Sequence, residues 1–238
     1  MITGSYEKAK NYIESHQSVS SDKNKNTHGP CITISRELGS GGDIVSERVC
    51  EFLQQRRINE QVNWAVFDKN LIEKVIEDHN LPGKLREYLE EDKLTEINSM
   101  VSELLGLHPP AWLLVHKTAQ TILQLATVGN VIIVGRGAYL ITAKLNNVFH
   151  VRLVAPIAER IKRVEDSFNI SHKDAIEVIK DDYRKRKHYL QYHYHKDIED
   201  KFLYHIIINT QLVKYEEAAD IISTHVIHKF PQFFRAEH

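Results

Sequence analysis

The segment Ser35-Arg36-Glu37-Leu38-Gly39-Ser40-Gly41-Gly42-Asp43 joins an apolar run to an amphipathic one. Glycines at such a junction let the backbone bend tightly and bring its N–H groups close to a ligand. The N-terminus of the following helix adds partial positive charge, so phosphate is the natural guest of Gly39, Ser40, Gly41 and Gly42. The phosphate-loop signature ends in Lys-Ser or Lys-Thr. Here Gly42 stands where the lysine belongs, and Asp43 where the magnesium-binding hydroxyl belongs. An aspartate at that place either holds a metal through its carboxylate, repels an unaccompanied phosphate, or simply complements the helix dipole. Arg36 is the nearest cation able to replace the lysine, its alternative being a surface ion pair with Glu37.

A turn of this kind needs a strand to deliver it and a helix to receive it. Five short segments read as buried strands: Cys31–Ser35, Val62–Phe67, Val131–Gly135, Val148–Val154 and Tyr204–Asn209. The runs Val131-Ile132-Ile133-Val134 and Ile206-Ile207-Ile208 are apolar at successive positions, as expected where helices cover both faces of a parallel sheet. Helical stripes lie between them: Val45, Val49, Phe52 and Leu53, then Leu71, Ile72, Val75 and Ile76, with similar patterns from Ala111 to Leu125 and from Ile157 to Val164. The alternation implies a parallel α/β sheet with right-handed crossovers. Roughly 60 residues separate the second strand from the third, and roughly 50 the fourth from the fifth, so each gap holds a helical insert over the ligand edge.

With 238 residues, the chain has room for a single α/β core carrying such inserts or, on length alone, for two separate domains. A formal net charge of −1 gives no global attraction to nucleic acid or an acidic membrane surface, so any basic chemistry is local. No apolar run reaches the length of a membrane span. The opening residues show no basic segment leading into an apolar stretch, so the expected location is cytoplasmic. Cys31 and Cys50 are too few for a disulfide framework and are expected as reduced, buried thiols. Residues 1–29 read as an N-terminal helix (Tyr6, Ala9, Tyr12, Ile13) and a flexible polar linker, with the folded domain beginning at residue 30. His188, His193 and His195 alternate with Tyr189, Tyr192 and Tyr194. An i, i+2 alternation puts ligands on different helical faces, so an exposed aromatic edge is expected there rather than zinc. Trp64 and Trp112 are expected in the core.

Ile34-Ser35-Arg36-Glu37-Leu38-Gly39-Ser40-Gly41-Gly42 resembles the opening of the cytidylate kinase-like proteins, a branch of the nucleoside monophosphate kinases. Val131 to Gly137 resembles the strand by which those kinases place an arginine, here Arg136, near the monophosphate. Pro156 to Arg163 is similar to the arginine-bearing helix that opens the family's lid, and Asp181 to Arg186 looks like the lid segment whose arginines contact phosphate. Ile208-Asn209-Thr210 resembles the turn near the nucleotide base. The resemblance runs in order over residues 31–227. It implies an α/β fold with a five-stranded parallel sheet of P-loop kinase type flanked by helices, a substrate-binding helical insert within 60–130 and a lid within 165–200.

The same resemblance implies transfer of phosphate from ATP, with Mg2+, to CMP or a related pyrimidine monophosphate. Phosphoryl transfer needs positioning and positive charge more than covalent chemistry. An arginine fork holds two phosphate oxygens, so several converging arginines make physical sense. Arg36, Arg160, Arg184 and Arg186 are the catalytic candidates. Gly39 to Asp43, Arg163 and Thr210 are the nucleotide-binding candidates, Asp43 also being the candidate Mg2+ ligand. Asp68 and Arg136 are the acceptor candidates; Asp68 serves equally well as a helix cap. Asp181 and Asp182 either orient lid arginines, assist a metal, or are solvated. The missing lysine and hydroxyl leave two alternatives open: an inactive nucleotide-binding protein, or a kinase of a non-nucleotide small molecule. A third is an interaction protein working through residues 1–29. Nucleotides are the expected partners; nucleic acid and membrane are not.

Overall fold

The structure, a computed structural model, describes residues 11, 12, 15, 16, 29–70, 72, 91–105 and 113–235. Its sheet is built largely from apolar runs, the polar residues within them being mostly buried. The strands are β1 (Cys31–Arg36), β2 (Ala65–Phe67), β3 (Val131–Val134), β4 (Val148–Val154) and β5 (Ile206–Asn209). All pair in parallel, in the order β2-β3-β1-β4-β5. Every residue of β3 is buried, as a strand covered on both faces requires. Strand alternation sends Cys31, Phe67, Val131 and Ile133 into one apolar core, and Ile32, Ile34, Ile132, Val134, Val151 and Leu153 into another.

The helices are α1 (Gly42–Arg56), α2 (Glu91–Leu105), α3 (Leu113–Val128), α4 (Ala138–Ile141), α5 (Ile157–Phe168), α6 (His172–Tyr194) and α7 (Tyr215–Lys229). The stripe Val45, Val49 and Leu53 of α1 packs with Ala218, Ile222 and Val226 of α7 in the second core. Helices α2 and α3, with α4 and the far end of α6, fill the first. Two strands begin later than expected. β2 starts at Ala65, because the Trp64 amide donates to the Gln54 side chain at 2.7 Å instead of joining the ladder. β5 starts at Ile206, and as the edge strand it leaves Ile207 partly exposed.

The N-terminal segment is tied to the domain at Tyr12. Its ring is buried edge-on against Phe67, and its hydroxyl donates to the Gly129 carbonyl at 2.5 Å. Tyr6, Ala9, Ile13 and the polar linker lie outside the described residues, as do Leu71, Val75, Ile76 and Trp112. Cys31 is buried, and desolvation pushes its thiol upward; Cys50 differs from the expectation in being only half-buried, at the rim of the second core. Trp64 is a core residue stacked on Phe234.

Helices α5 and α6 form a hairpin. Asn169 ends α5 in the left-handed conformation, and Ser171 caps α6 by accepting from the Asp174 amide. The hairpin has its own small apolar core of Val164, Ala175 and Ile179, joined by Ile161, Ile170 and Leu38. The histidine–tyrosine cluster at the end of α6 is not wholly an exposed edge. Tyr192 is 52% exposed, but Leu190 and Tyr194 are buried in the first core, because the end of α6 descends onto α4. Among the described residues no histidine, cysteine and carboxylate group is arranged to hold a metal ion, and no helix is long and apolar enough to cross a membrane.

Between β1 and β4, His150 lies 2.7 Å from the Thr33 hydroxyl through Nδ1, and its amide donates to Nδ1 of His205 at 2.9 Å. Burial, the neighbouring His205 and the Lys229 ammonium push the His150 imidazole down to about 4. The unfolded chain takes up this proton near pH 6.5. Stability from neutral His150 is therefore complete above that pH and is lost as pH falls to about 4. His16, also pushed down to about 4 by burial, acts in the same direction. His150→Gln is expected to reduce the loss of unfolding free energy across this window by about 2–3 kcal/mol. Urea titrations of both proteins at several pH values measure this, and parallel pH profiles would contradict it.

Candidate phosphate-binding site at the carboxyl edge of the sheet

Ligands of open parallel sheets bind beyond the carboxyl ends of the strands, where the strand order reverses. β1 occupies that place, between β3 and β4. Its end carries the glycine turn, the end of β2 carries Asp68, and that of β3 carries Gly135-Arg136-Gly137. The end of β4 leads into α5, and that of β5 into Thr210.

The turn is shaped by what presses on it. Gly39 and Gly41 take φ values of 84° and 79°. A Cβ on Gly39 would lie 2.7 Å from the Arg160 carbonyl of α5, and one on Gly41 would lie 2.2 Å from the Tyr215 ring of α7. Gly41 caps α1 without a side chain. No acceptor among the described residues receives the amides of Gly41, Gly42, Asp43 or Ile44. Four such donors at a helix N-terminus form a candidate anion seat. Ser40 differs from its expected role. Its side chain is buried, and its hydroxyl donates to the carbonyls of Glu37 at 2.7 Å and Leu153 at 3.3 Å, so it braces the turn.

Arg36 lies under this seat. Its stem runs beside Gly42, where a Cβ would come within 2.7 Å of Arg36 Cγ, and its Nη1 lies 2.5 Å from the Cβ position of Gly135. Burial lowers the affinity of this guanidinium for its proton, as does Arg186, while Asp43, Asp182 and Asp68 act in the opposite sense. Arg36 is thus no surface partner of Glu37. The Glu37 carboxylate instead faces Arg160 at 3.4 Å and accepts from the Ala155 amide at 3.1 Å.

The remaining arginines divide. Arg186 pairs with Asp182 at 2.7 Å and donates to the Arg36 carbonyl at 2.6 Å. Arg163 donates to the Gly39 carbonyl at 3.3 Å and to Thr210, at 3.0 Å to the hydroxyl and 2.8 Å to the carbonyl, with its guanidinium over the Tyr215 ring. Arg160 is held by the Ala155 carbonyl at 2.9 Å as well as by Glu37. Arg184 is not brought to the site. Its side chain is 79% exposed and pairs with Asp181, on the solvent side of α6, where such pairs contribute little. Arg136, in the left-handed conformation, turns its guanidinium over Tyr189, and burial lowers its proton affinity against the opposing effect of Tyr189 and Tyr194. Asp68 is half-buried, close enough for its charge to act on Arg36, and its carbonyl accepts from Ile72. Asp43 is exposed on the first turn of α1.

Of three further participants, two carry little sequence signal. Leu38 and Tyr215 look like ordinary apolar residues until the turn is folded between α5 and α7. Arg152 is the exception, as a lone cation inside an apolar strand. It is 5% exposed, donates to the Ile198 carbonyl and pairs with Glu199 at 3.0 Å, fastening the chain that follows α6.

Because Gly39 combines a left-handed backbone with the closest approach of α5, Gly39→Ala is expected to cost about 2–4 kcal/mol of stability. Denaturant unfolding measures this, and an unchanged midpoint would show that α5 yields to the new methyl group.

Residues 31–212 match the model of the cytidylate kinase-like family. No curated protein matches the chain. A crystal structure of an uncharacterized protein from Eubacterium ventriosum is similar in fold, with a TM-score of 0.63 and 21% sequence identity over 84% of this chain and 98% of that one. The sheet order, the glycine turn at the end of β1 and a family match across most of the sequence lead to one assignment: the chain belongs to the cytidylate kinase-like family.

Proposed function

We propose that the chain is a nucleoside monophosphate kinase-like phosphotransferase that uses Arg36 in place of the loop lysine. The reaction is transfer of the terminal phosphoryl group of ATP to CMP or a related pyrimidine monophosphate. The observation that carries this reading is the reciprocal packing of Arg36 and Gly42. The arginine stem fills the space in which a side chain at position 42 would start, and its guanidinium lies at the same strand end. A cation has been moved from the helix to the strand without leaving the seat.

In this reading the amides of Gly41 to Ile44 bind donor phosphate, and Arg36 neutralises the charge that gathers during transfer. Arg186 and Arg163 stand next to the seat and complete the cationic wall when a ligand draws them from the turn carbonyls. Arg136 holds the acceptor phosphate beside the aromatic end of α6, with Asp68 below. Asp43 presents an exposed carboxylate, an oxygen donor of the kind Mg2+ takes alongside phosphate oxygens. That ion would supply charge neutralisation and orientation of the phosphates.

ADP release, measured with ATP and a panel of nucleoside monophosphates, tests the reading. Arg36→Ala is expected to lower kcat by about 100- to 1,000-fold. Arg36→Ala combined with Gly42→Lys is expected to recover part of that loss, whereas Gly42→Lys alone collides with Arg36. No turnover with any acceptor, despite stabilisation of the fold by ATP, would overturn transfer and favour the inactive nucleotide-binding alternative. The exposed aspartate at the hydroxyl position is the observation that keeps that second reading alive. Phosphorylated products from a metabolite pool, detected by mass spectrometry without nucleoside diphosphates among them, would favour a non-nucleotide acceptor.

A further inference from the structure

Leu38 occupies the middle of the glycine turn, yet its side chain belongs to neither core of the sheet. It packs with Val164, Ala175 and Ile179 in the small apolar core of the α5–α6 hairpin, beside Ile161 and Ile170. Two guanidinium groups of the same hairpin hold the backbone on either side of it. Arg186 of α6 donates to the Arg36 carbonyl at 2.6 Å, and Arg163 of α5 donates to the Gly39 carbonyl at 3.3 Å. The α5 backbone at Arg160 also lies against Gly39, too close for any side chain there. The sheet, for its part, holds the turn through Glu37 and Ser40, whose bonds run to Leu153 and within the turn.

We infer that Leu38 is a positioning residue that joins the anion-binding turn to the α5–α6 hairpin, so that the two open and close as one unit. The physical reason lies in where each group's alternatives are. If the hairpin swings away, Leu38 must either follow it or leave an apolar pocket for water. The carbonyls of Arg36 and Gly39 lose their charged donors at the same moment. A turn with two glycines in left-handed conformation yields readily wherever the bonds of Glu37 and Ser40 do not hold it. The seat formed by the amides of Gly41 to Ile44 therefore has its present shape only with the hairpin in place. An arriving anion that competes for Arg163 and Arg186 would act on both parts together. The coupling holds whether or not the chain transfers phosphate.

Amide hydrogen exchange on the full chain tests this with residue resolution. Within the turn region the Ser40 amide is bonded to the Glu37 carbonyl, and the Val45 amide to that of Gly41, so both report on its shape. Ile170→Ala thins the hairpin core at a residue remote in sequence from the turn. It is expected to speed exchange about tenfold both in α5–α6 and at Ser40 and Val45, leaving the amides of β3 unchanged. Leu38→Ala is expected to do the same from the other side, and Leu38→Met to restore slow exchange in both. Faster exchange confined to α5–α6 in Ile170→Ala, with Ser40 and Val45 at their native rates, would overturn the inference. So would Leu38→Ala loosening the turn alone. The readout is structural, so a chain without detectable phosphotransfer leaves these outcomes intact, and failure of the coupling leaves the phosphotransfer assay intact.

Discussion

The carboxyl edge of the sheet is organised around one half-buried cation, Arg36. A guanidinium taken out of water is costly unless charges and hydrogen bonds of opposite sense surround it. The carboxylates of Asp43, Asp182 and Asp68, brought from α1, α6 and the end of β2, offset part of that cost for Arg36. Its stem also needs room, and Gly42 and Gly135 supply it by having no side chains. Position 42, the left-handed bend after β3 and Asp182 on α6 thus all adjoin the same side chain.

The turn shows a second economy. Its shape comes from neighbours more than from its own hydrogen bonds. α5 presses on Gly39, α7 presses on Gly41 through Tyr215, and Ser40 is locked inward to the carbonyls of Glu37 and Leu153. Helices on both sides of the sheet therefore converge on it. The four helix-terminal amides stay without acceptors among the described residues because everything else in the turn is already engaged. The arginines near the seat are engaged too, with carbonyls and carboxylates of the chain. That is the expected resting state of a cationic site, since charged donors left dry and unpaired would be unfavourable.

Much of the fold was legible because it is encoded at short range. Successive apolar residues in Val131–Val134 require cover on both faces, and the stripe Val45, Val49 and Leu53 requires a partner. The glycine turn announced itself by position, between such a strand and such a helix. Strand starts were less legible, since Trp64 and Tyr204 have the composition of strands but spend their backbone or side chain elsewhere. The aromatic end of α6 was misjudged for a similar reason. Its polar composition suggests solvent, yet a long helix crossing from hairpin to core must bury its last turn, and Leu190 and Tyr194 are the residues that do so.

The arginines mark the boundary between the two kinds of information. By itself the sequence determined that a glycine turn follows the first strand, that the loop lysine is absent, and that cations are plentiful in the segments flanking the strand ends. It left open which of those cations matter, because a periodic pattern locates a residue on its own element and says nothing of what other elements bring to it. Only the tertiary structure laid Arg36 along Gly42, held Arg163 and Arg186 to the turn, set Arg184 in solvent and turned Arg136 toward Tyr189. It also placed Leu38 in the hairpin rather than the sheet. Burial and pairing of charge are properties of the assembled neighbourhood, and only there does an arginine from the strand lie across a glycine of the helix.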